Sequence, residues 1–527
     1  MAENDSGIPS VADVIVVGSG SGGAVVARRL VDAGADVIVV EAGTADDNPA
    51  IHDPPRLFEL WDSEQDWGYR TAPQAACAGR ELQWPRGKVL GGSSALNGMI
   101  YARGHRSDYD AWAYLGNDGW GYDDVLPLFK RSEDFDRGAS AYHGAGGPLH
   151  VLSRYEPHPL NAAVVAAAQQ AGIAFNDDHN GESLDGVSFC QLNVKDGIRQ
   201  STATAFLAPV SGAPNLTVLT RACAQRLLFE GGRCVGVEIL RDGVVSQIRA
   251  EGEVVVCGGT VESPKLLLLS GIGPAEELAG LAIDVVADLP GVGRNLHDHV
   301  LSPVIYGASR PVPPPLPGLQ QLHSHLFWRS RPGLPGPDVQ PLFFHLPLYL
   351  DGMEGPPDGY TLMAGIIRPA SRGSLRLASA DPAAPPLIDP ACLSCEVDAD
   401  ALVAAIELCR EIGGQAALAE WRGRELYPGP GADTRQELLD HARRTATTYH
   451  HQVGTCKMGV DADAVVDPQL RVRGIDGLRV ADASIMPFVS SGNTHAPTVM
   501  IGERAADFVL GSTPAQRPWP ISARAAG

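Results

Sequence analysis

Two short blocks near the end of the chain hold side chains that can move a proton. The first reads Tyr449-His450-His451-Gln452-Val453-Gly454-Thr455, and the second reads Ser491-Gly492-Asn493-Thr494-His495-Ala496-Pro497-Thr498. An imidazole titrates near neutrality and can take a proton from a hydroxyl. In the second block small polar residues precede Pro497, and a helical pattern follows from Val499 to Val509, which predicts a helix N-terminus near the proline. Such an end presents free N–H groups and partial positive charge, suited to an anion. A proton acceptor beside an anion-stabilising helix end is what removing hydrogen from an alcohol requires. The two blocks leave open where the electrons go.

An electron carrier has to be held by other elements, and the start of the chain offers them. Asp13 to Val17 is a β-branched run that predicts a buried parallel strand. It leads into Gly18-Ser19-Gly20-Ser21-Gly22-Gly23, then a helical stretch from Ala24 to Ala33, a break at Gly34, a second strand from Val37 to Val40, and Glu41-Ala42. Gly18 permits the tight turn, Gly20 lets a pyrophosphate approach the backbone, and Gly23 lets helix and strand pack closely. Glu41 stands where a carboxylate accepts from ribose hydroxyls, which argues against a 2′-phosphate and hence against NADP. The fingerprint does not separate FAD from NAD.

A second cluster, Arg86-Gly87-Lys88-Val89-Leu90-Gly91-Gly92-Ser93-Ser94-Ala95-Leu96-Asn97-Gly98, runs into the apolar Met99-Ile100-Tyr101. A solvated loop would carry more charge. Small residues let backbone lie flat against a ligand and offer N–H donors to phosphate or to a ring edge.

The segment Gly87 to Asp110 resembles the first signature of the glucose-methanol-choline (GMC) oxidoreductases, and Gly259 to Gly273 resembles their second. Gly291-Val292-Gly293-Arg294-Asn295-Leu296-His297-Asp298-His299 and Gly477 to Pro487 are also similar to family blocks. The resemblance spans about Asp13 to Asp507, with the blocks in order. It implies a mixed α/β fold: a discontinuous Rossmann-like FAD domain from residues 1–155, 205–300 and 470–527, and an antiparallel-sheet substrate domain from 156–204 and 301–469.

The same resemblance implies the site residues. Cofactor contacts fall on Gly18, Gly20, Ser21, Gly22, Gly23, Glu41 and Ala42, then on Arg86, Val89, Gly91, Gly92, Ser93, Asn97, Gly98, Met99 and Ile100. Ala222 and Ala224 lie near the adenine; Gly258, Asp482 and Ala483 complete the cofactor side, with Asp482 near the ribityl and pyrophosphate. His495, Pro497 and Thr498 fall on the flavin side. His451 aligns with the active-site histidine, and Asn493 with a second catalytic position that is His in some members. His451 then accepts the alcohol proton as hydride passes to flavin N5, while Asn493 holds the substrate oxygen. Leu96, Ile366, Tyr449 and His450 are the implied pocket walls. Leu96 occupies the position at which some relatives bind FAD covalently through histidine, so FAD is expected non-covalent. Hydroxynitrile lyases share this fold and cofactor, so a lyase without net redox is the alternative.

Composition bounds the rest. The chain has 527 residues, 44% hydrophobic and 20% charged, a length that predicts two domains or one large elaborated domain. With 41 Lys and Arg against 62 Asp and Glu, a net charge of −21 argues against nucleic acid and anionic membranes. No apolar run reaches membrane-spanning length, and the acidic N-terminus lacks a signal-peptide core. Nine scattered cysteines fit a reducing cytoplasm, and the single C-x-x-C, Cys392 and Cys395, lacks the companions a zinc site needs, so no metal is expected. The expected partners are a small-molecule alcohol, primary, aryl or polyol/sugar-like, and oxygen or another acceptor, with a homo-oligomer possible. Helices are expected at Ala399–Cys409 and Arg435–Arg444, strands around Leu342–Leu346 and Tyr360–Ile367, and a proline-stiffened loop at Pro311–Pro317.

Overall fold

The computed structural model describes residues 10–350 and 352–512. The acidic N-terminal residues and the part of the expected cofactor segment beyond 512 lie outside the described residues. Two seven-stranded sheets organise the chain.

The first sheet grows from β1 (Val11–Val17), helix α1 (Gly23–Asp32) and β2 (Val37–Val40). β1 and β2 run parallel, with Val14 opposite Val37 and Val17 opposite Val40. Both are almost wholly buried, which is why they read as apolar runs and not as alternation. β3 (Leu216–Leu219) adds to β2 in parallel. β4 (Ala222–Glu230), β5 (Arg233–Arg241) and β6 (Val244–Val256) form an antiparallel meander turning at Glu230-Gly231-Gly232. The last part of β6 pairs in parallel with β1 on one side and with Leu478–Val480 on the other. β6 is longer than the apolar run at its end predicts, because its first half alternates exposed and buried residues. It delivers Gly258 and Gly259 to helix α2 (Gly259–Leu269).

The second sheet contains β7 (Val300–Ala308), β8 (Leu322–Phe327), β9 (Leu342–Phe344) and β10 (Gly359–Ile366). Its order is Arg422–Tyr427, β7, β10, β9, β8, Gly186–Phe189, with neighbouring pairs antiparallel. β8 and β10 are buried along their whole length. β8 thereby buries His323, Ser324 and His325, so its polar atoms must find partners inside the protein. Helices at Glu396–Gly413 and Arg435–Thr445 pack against β7, at the places the periodicity predicts. Pro311–Pro317 has no regular secondary structure.

The last described element, α3 (His495–Ser512), begins two residues before the expected proline. The first N–H groups of a helix have no intrahelical acceptor, so Pro497 fits inside the first turn at little cost. α3 packs along α1, where Arg29 donates to both oxygens of buried Glu503 at 2.9 and 2.7 Å. That clamp ties the second chemical block to the glycine turn at the other end of the chain.

Candidate active site

A continuous cleft of about 620 Å³ runs from the end of β1 to the start of α3. Gly18, Gly20, Ser21 and Gly22 line it beside Glu41 and Ala42. Further walls are Arg86, Gly92, Ser93, Asn97, Gly98, Met99 and Ile100, then Ala222, Ala224, Gly258, Asp482, Ala483, His495 and Thr498. Five predicted site residues stand behind these walls. Gly23 sits under the turn, where an added Cβ would lie 1.9 Å from the Gly18 carbonyl oxygen, so its job is packing. Val89 is fully buried and bridges to Thr44, while Gly91 donates its N–H to Ser19 Oγ at 3.1 Å. Pro497 lies within the first turn of α3. Ile366 ends β10 opposite Val300 in the buried sheet, so it is a core residue and not a pocket wall.

The cofactor implied by the sequence is FAD, and the walls fit it. Gly92 has φ +53°, and a Cβ there would lie 2.8 Å from Gly20 Cα. The two glycine loops therefore meet as bare backbone, leaving N–H groups for phosphate. Glu41 Oε2 accepts from Ser19 N at 3.0 Å and Ser19 Oγ at 2.6 Å, and Oε1 accepts from Gly43 N at 2.8 Å. These contacts hold the Glu41 carboxylate at the cleft wall as an acceptor. Asp482 accepts from Gly259 N at 2.9 Å, Ser263 Oγ at 2.5 Å and Ser484 N at 2.8 Å, which fixes the start of α2. His495 bonds Ser21 Oγ through Nδ1 at 2.8 Å, while its buried Nε2 has no protein partner. Burial takes its pKa down to about 4, so the ring meets the cofactor neutral. FAD, when bound, supplies the acceptor for the hydride and its two electrons.

The other end of the cleft holds the proton chemistry. His451 Nε2 lies 3.1 Å from Asn493 Nδ2, and His451 Nδ1 lies 2.9 Å from His299 Nδ1. The His451 ring stacks on Tyr449 at 4.5 Å, and Tyr449 donates its hydroxyl to the Gln340 carbonyl at 3.0 Å. Asp298 fixes the segment from below: its carboxylate accepts from His451 N at 2.8 Å, Gln452 Nε2 at 3.1 Å and the Thr448 hydroxyl. Burial raises the Asp298 pKa to about 7. Arg86 donates to the His450 carbonyl at 3.0 Å, which pins His450 at φ +65°. The His450 ring lines the cleft and sits 4.9 Å from Trp61. Burial, then Arg86, holds its pKa down to about 3. Burial first, then His299, His450 and Arg86, keeps His451 well below the usual histidine range, so it is a neutral acceptor at neutral pH.

The sequence alone does not single out Asp298, His299 or Gln340 for a role. His297-Asp298-His299 closes a block similar to the family's, a signal that marks the place without revealing which side chain meets His451. Gln340 and the wall residues Phe58 and Trp61 lie in stretches with no motif at all.

A dinucleotide cleft ending at an imidazole–amide pair beside a helix N-terminus defines an oxidoreductase that draws a proton and a hydride from its substrate. Sequence models described as GMC oxidoreductase match residues 12–301 and 369–502, and the chain belongs to that family. It is 42% identical to the mitochondrial choline dehydrogenase of Mus musculus over 94% of this chain and 89% of that protein. It is 40% identical to the oxygen-dependent choline dehydrogenase of Brucella ovis, over 96% of this chain and 98% of the other. The crystal structure of pyridoxine 4-oxidase from Mesorbium loti superposes with a TM-score of 0.91 at 38% identity, covering 94% of this chain and 98% of that one. The chain is an FAD-dependent oxidoreductase that oxidises the CH–OH group of an alcohol.

Proposed function

We propose that the substrate is an uncharged primary alcohol with an aromatic or otherwise apolar body, oxidised at the carbinol between His451 and Asn493. The observation that carries this reading is the wall around His450 and Tyr449. Leu57, Phe58, Trp61, Leu96, Leu342, Phe344 and Met363 line the cleft there, and most of them belong to one apolar cluster with Tyr449. The amides of Gln320 and Gln321 also line the cleft. Among the described residues four carboxylates line the cleft, and no buried one is left without partners to meet a cation. Glu41 and Asp482 are bound as described, Glu262 is held by the Tyr69 hydroxyl and Lys265, and Glu81 is exposed. A desolvated quaternary ammonium ordinarily needs a carboxylate or an aromatic cage.

In this reading His451 Nε2 takes the hydroxyl proton and Asn493 Nδ2 donates to the oxygen left behind. The amide then bonds the substrate oxygen more strongly as charge develops on it. The apolar wall excludes water and strengthens both contacts.

Anaerobic mixing of the FAD-loaded protein with benzyl alcohol, pyridoxine and choline tests it. Loss of the flavin's visible absorbance is expected with the first two and not with choline. Bleaching by choline alone would overturn the reading and place the ammonium against Phe58 and Trp61. Admitting air afterwards tells oxygen from another acceptor by the rate at which colour returns.

A further inference from the structure

The two nitrogens of an imidazole are distinct, and the one that carries the proton is set by what each faces. His451 can accept a proton at Nε2 only if its own proton sits on Nδ1. Buried hydrogen bonds converge on it from two sides, and the longer run can be read from a backbone carbonyl, which accepts only.

The longer run begins at the Tyr101 carbonyl. His179 Nε2 lies 3.1 Å from it and must carry hydrogen, leaving His179 Nδ1 bare. That bare nitrogen faces Ser188 Oγ and His325 Nε2, each at 3.4 Å, and the contact with the second imidazole is a hydrogen bond when His325 Nε2 carries the proton and Nδ1 is bare. His325 Nδ1 lies 3.1 Å from the Gln340 side-chain amide, so the atom there is the nitrogen, Nε2. The same nitrogen lies 3.2 Å from Asn493 Oδ1. Gln340 thus donates twice, and Asn493 must turn its NH₂ towards His451 Nε2 at 3.1 Å. A donor-only group at that distance requires a bare Nε2.

The proton order continues on the other side of the ring. A neutral His451 with a bare Nε2 carries its hydrogen on Nδ1, and His299 Nδ1, 2.9 Å away, accepts it.

We propose that Gln340 and His299 are positioning residues: Gln340 fixes the amide orientation of Asn493, and His299 fixes His451 as the Nδ1–H tautomer. When the alcohol O–H bond breaks, its electron pair stays on oxygen and its proton goes to His451 Nε2. The resulting cation shares Nδ1–H with His299, an uncharged acceptor that strengthens the bond as the charge appears. This rests on His451 being the proton acceptor, and the experiment separates the two claims.

Four variants of the FAD-loaded protein test it with an alcohol that bleaches the flavin. In His299→Asn the amide oxygen falls where His299 Nδ1 stood and can accept; His299→Leu cannot. Gln340→Glu keeps the shape but places an acceptor where a donor is needed, and His451→Ala removes the base. Flavin content and melting temperature establish folding. His299→Leu should lower kcat by about 10²-fold, the size of effect a lost orientation produces. It should also displace the limb of the kcat pH profile that reports the base, and His299→Asn should restore most of both. Gln340→Glu should lower kcat more than it raises KM. Tyr449, His450, Arg86 and Asp298, the other ionisable groups around His451, are unchanged in the His299 and Gln340 variants. Equal behaviour of His299→Leu and His299→Asn, or wild-type kcat and pH profile in Gln340→Glu, overturns the proposal. Full turnover in His451→Ala instead overturns the base assignment beneath it. Should His299→Leu fail to fold, His299→Asn and the isosteric Gln340→Glu still decide: collapse of kcat in the first contradicts it.

Discussion

At the scale of single residues, the site depends on keeping a histidine neutral and choosing which nitrogen is free. His451 and Asn493 could be picked from the sequence because both sit in compact blocks. Their partners could not. His299 is 152 residues away from His451, and Gln340 is 153 from Asn493. Gln340 follows an unremarkable Asp-Val pair, and only the sheet brings it to the dyad. Ile366 went the other way: the family resemblance implies a pocket wall, whereas β10 turns it into the core. Leu96 is the residue with the plainest chemical consequence. It lines the cleft in the glycine-serine loop and has no nucleophilic atom. Acid precipitation of the holoprotein should therefore leave the yellow cofactor in solution; colour retained by the pellet would show a covalent link elsewhere.

At the scale of elements, two glycine turns and two helix starts build the cofactor end. The strand–turn–helix order of β1, α1 and β2 was legible because a doubly covered parallel strand leaves an apolar run and the turn leaves glycines. The start of α3 was legible to within two residues. The first half of β6 was not, since an exposed alternating strand resembles many surface segments. The contact between the glycine loops is a three-dimensional fact that neither motif states. It predicts that Gly92→Ala, with its Cβ forced towards Gly20 Cα at positive φ, yields protein that purifies largely without FAD. Wild-type flavin content in that variant would show that the loops can part without loss.

At the scale of the whole molecule, the first sheet holds the cofactor and the second supplies the polar residues behind the dyad. Burying β8 brings His323 and His325 into the interior, and much of the molecule's histidine is held neutral there. Burial takes His179 and His323 to about 4 and His299 to about 3, with His325 and His451 also well below their usual value. In the unfolded chain the same rings titrate near about 6.5. Below that pH the unfolded state binds more protons than the folded one, so stability rises with pH through this window and is lost on acidification. Asp298, raised to about 7, acts in the opposite sense, as do Asp13, Glu41, Asp482 and His143, whose pKa values are also raised, but the lowered histidines outnumber them. Melting of the FAD-loaded protein should fall steadily from about pH 7 to about pH 4.5; a flat profile would mean that the rings are hydrated in the fold.

The central claim is that His451 takes the alcohol's proton while FAD receives the hydride. Stopped-flow bleaching under anaerobic conditions measures it directly, comparing wild type with His451→Ala at equal FAD content and saturating alcohol. The account predicts a fall in the bleaching rate of about 10²–10⁴, the range for a lost general base. Bleaching at the wild-type rate in His451→Ala would contradict it.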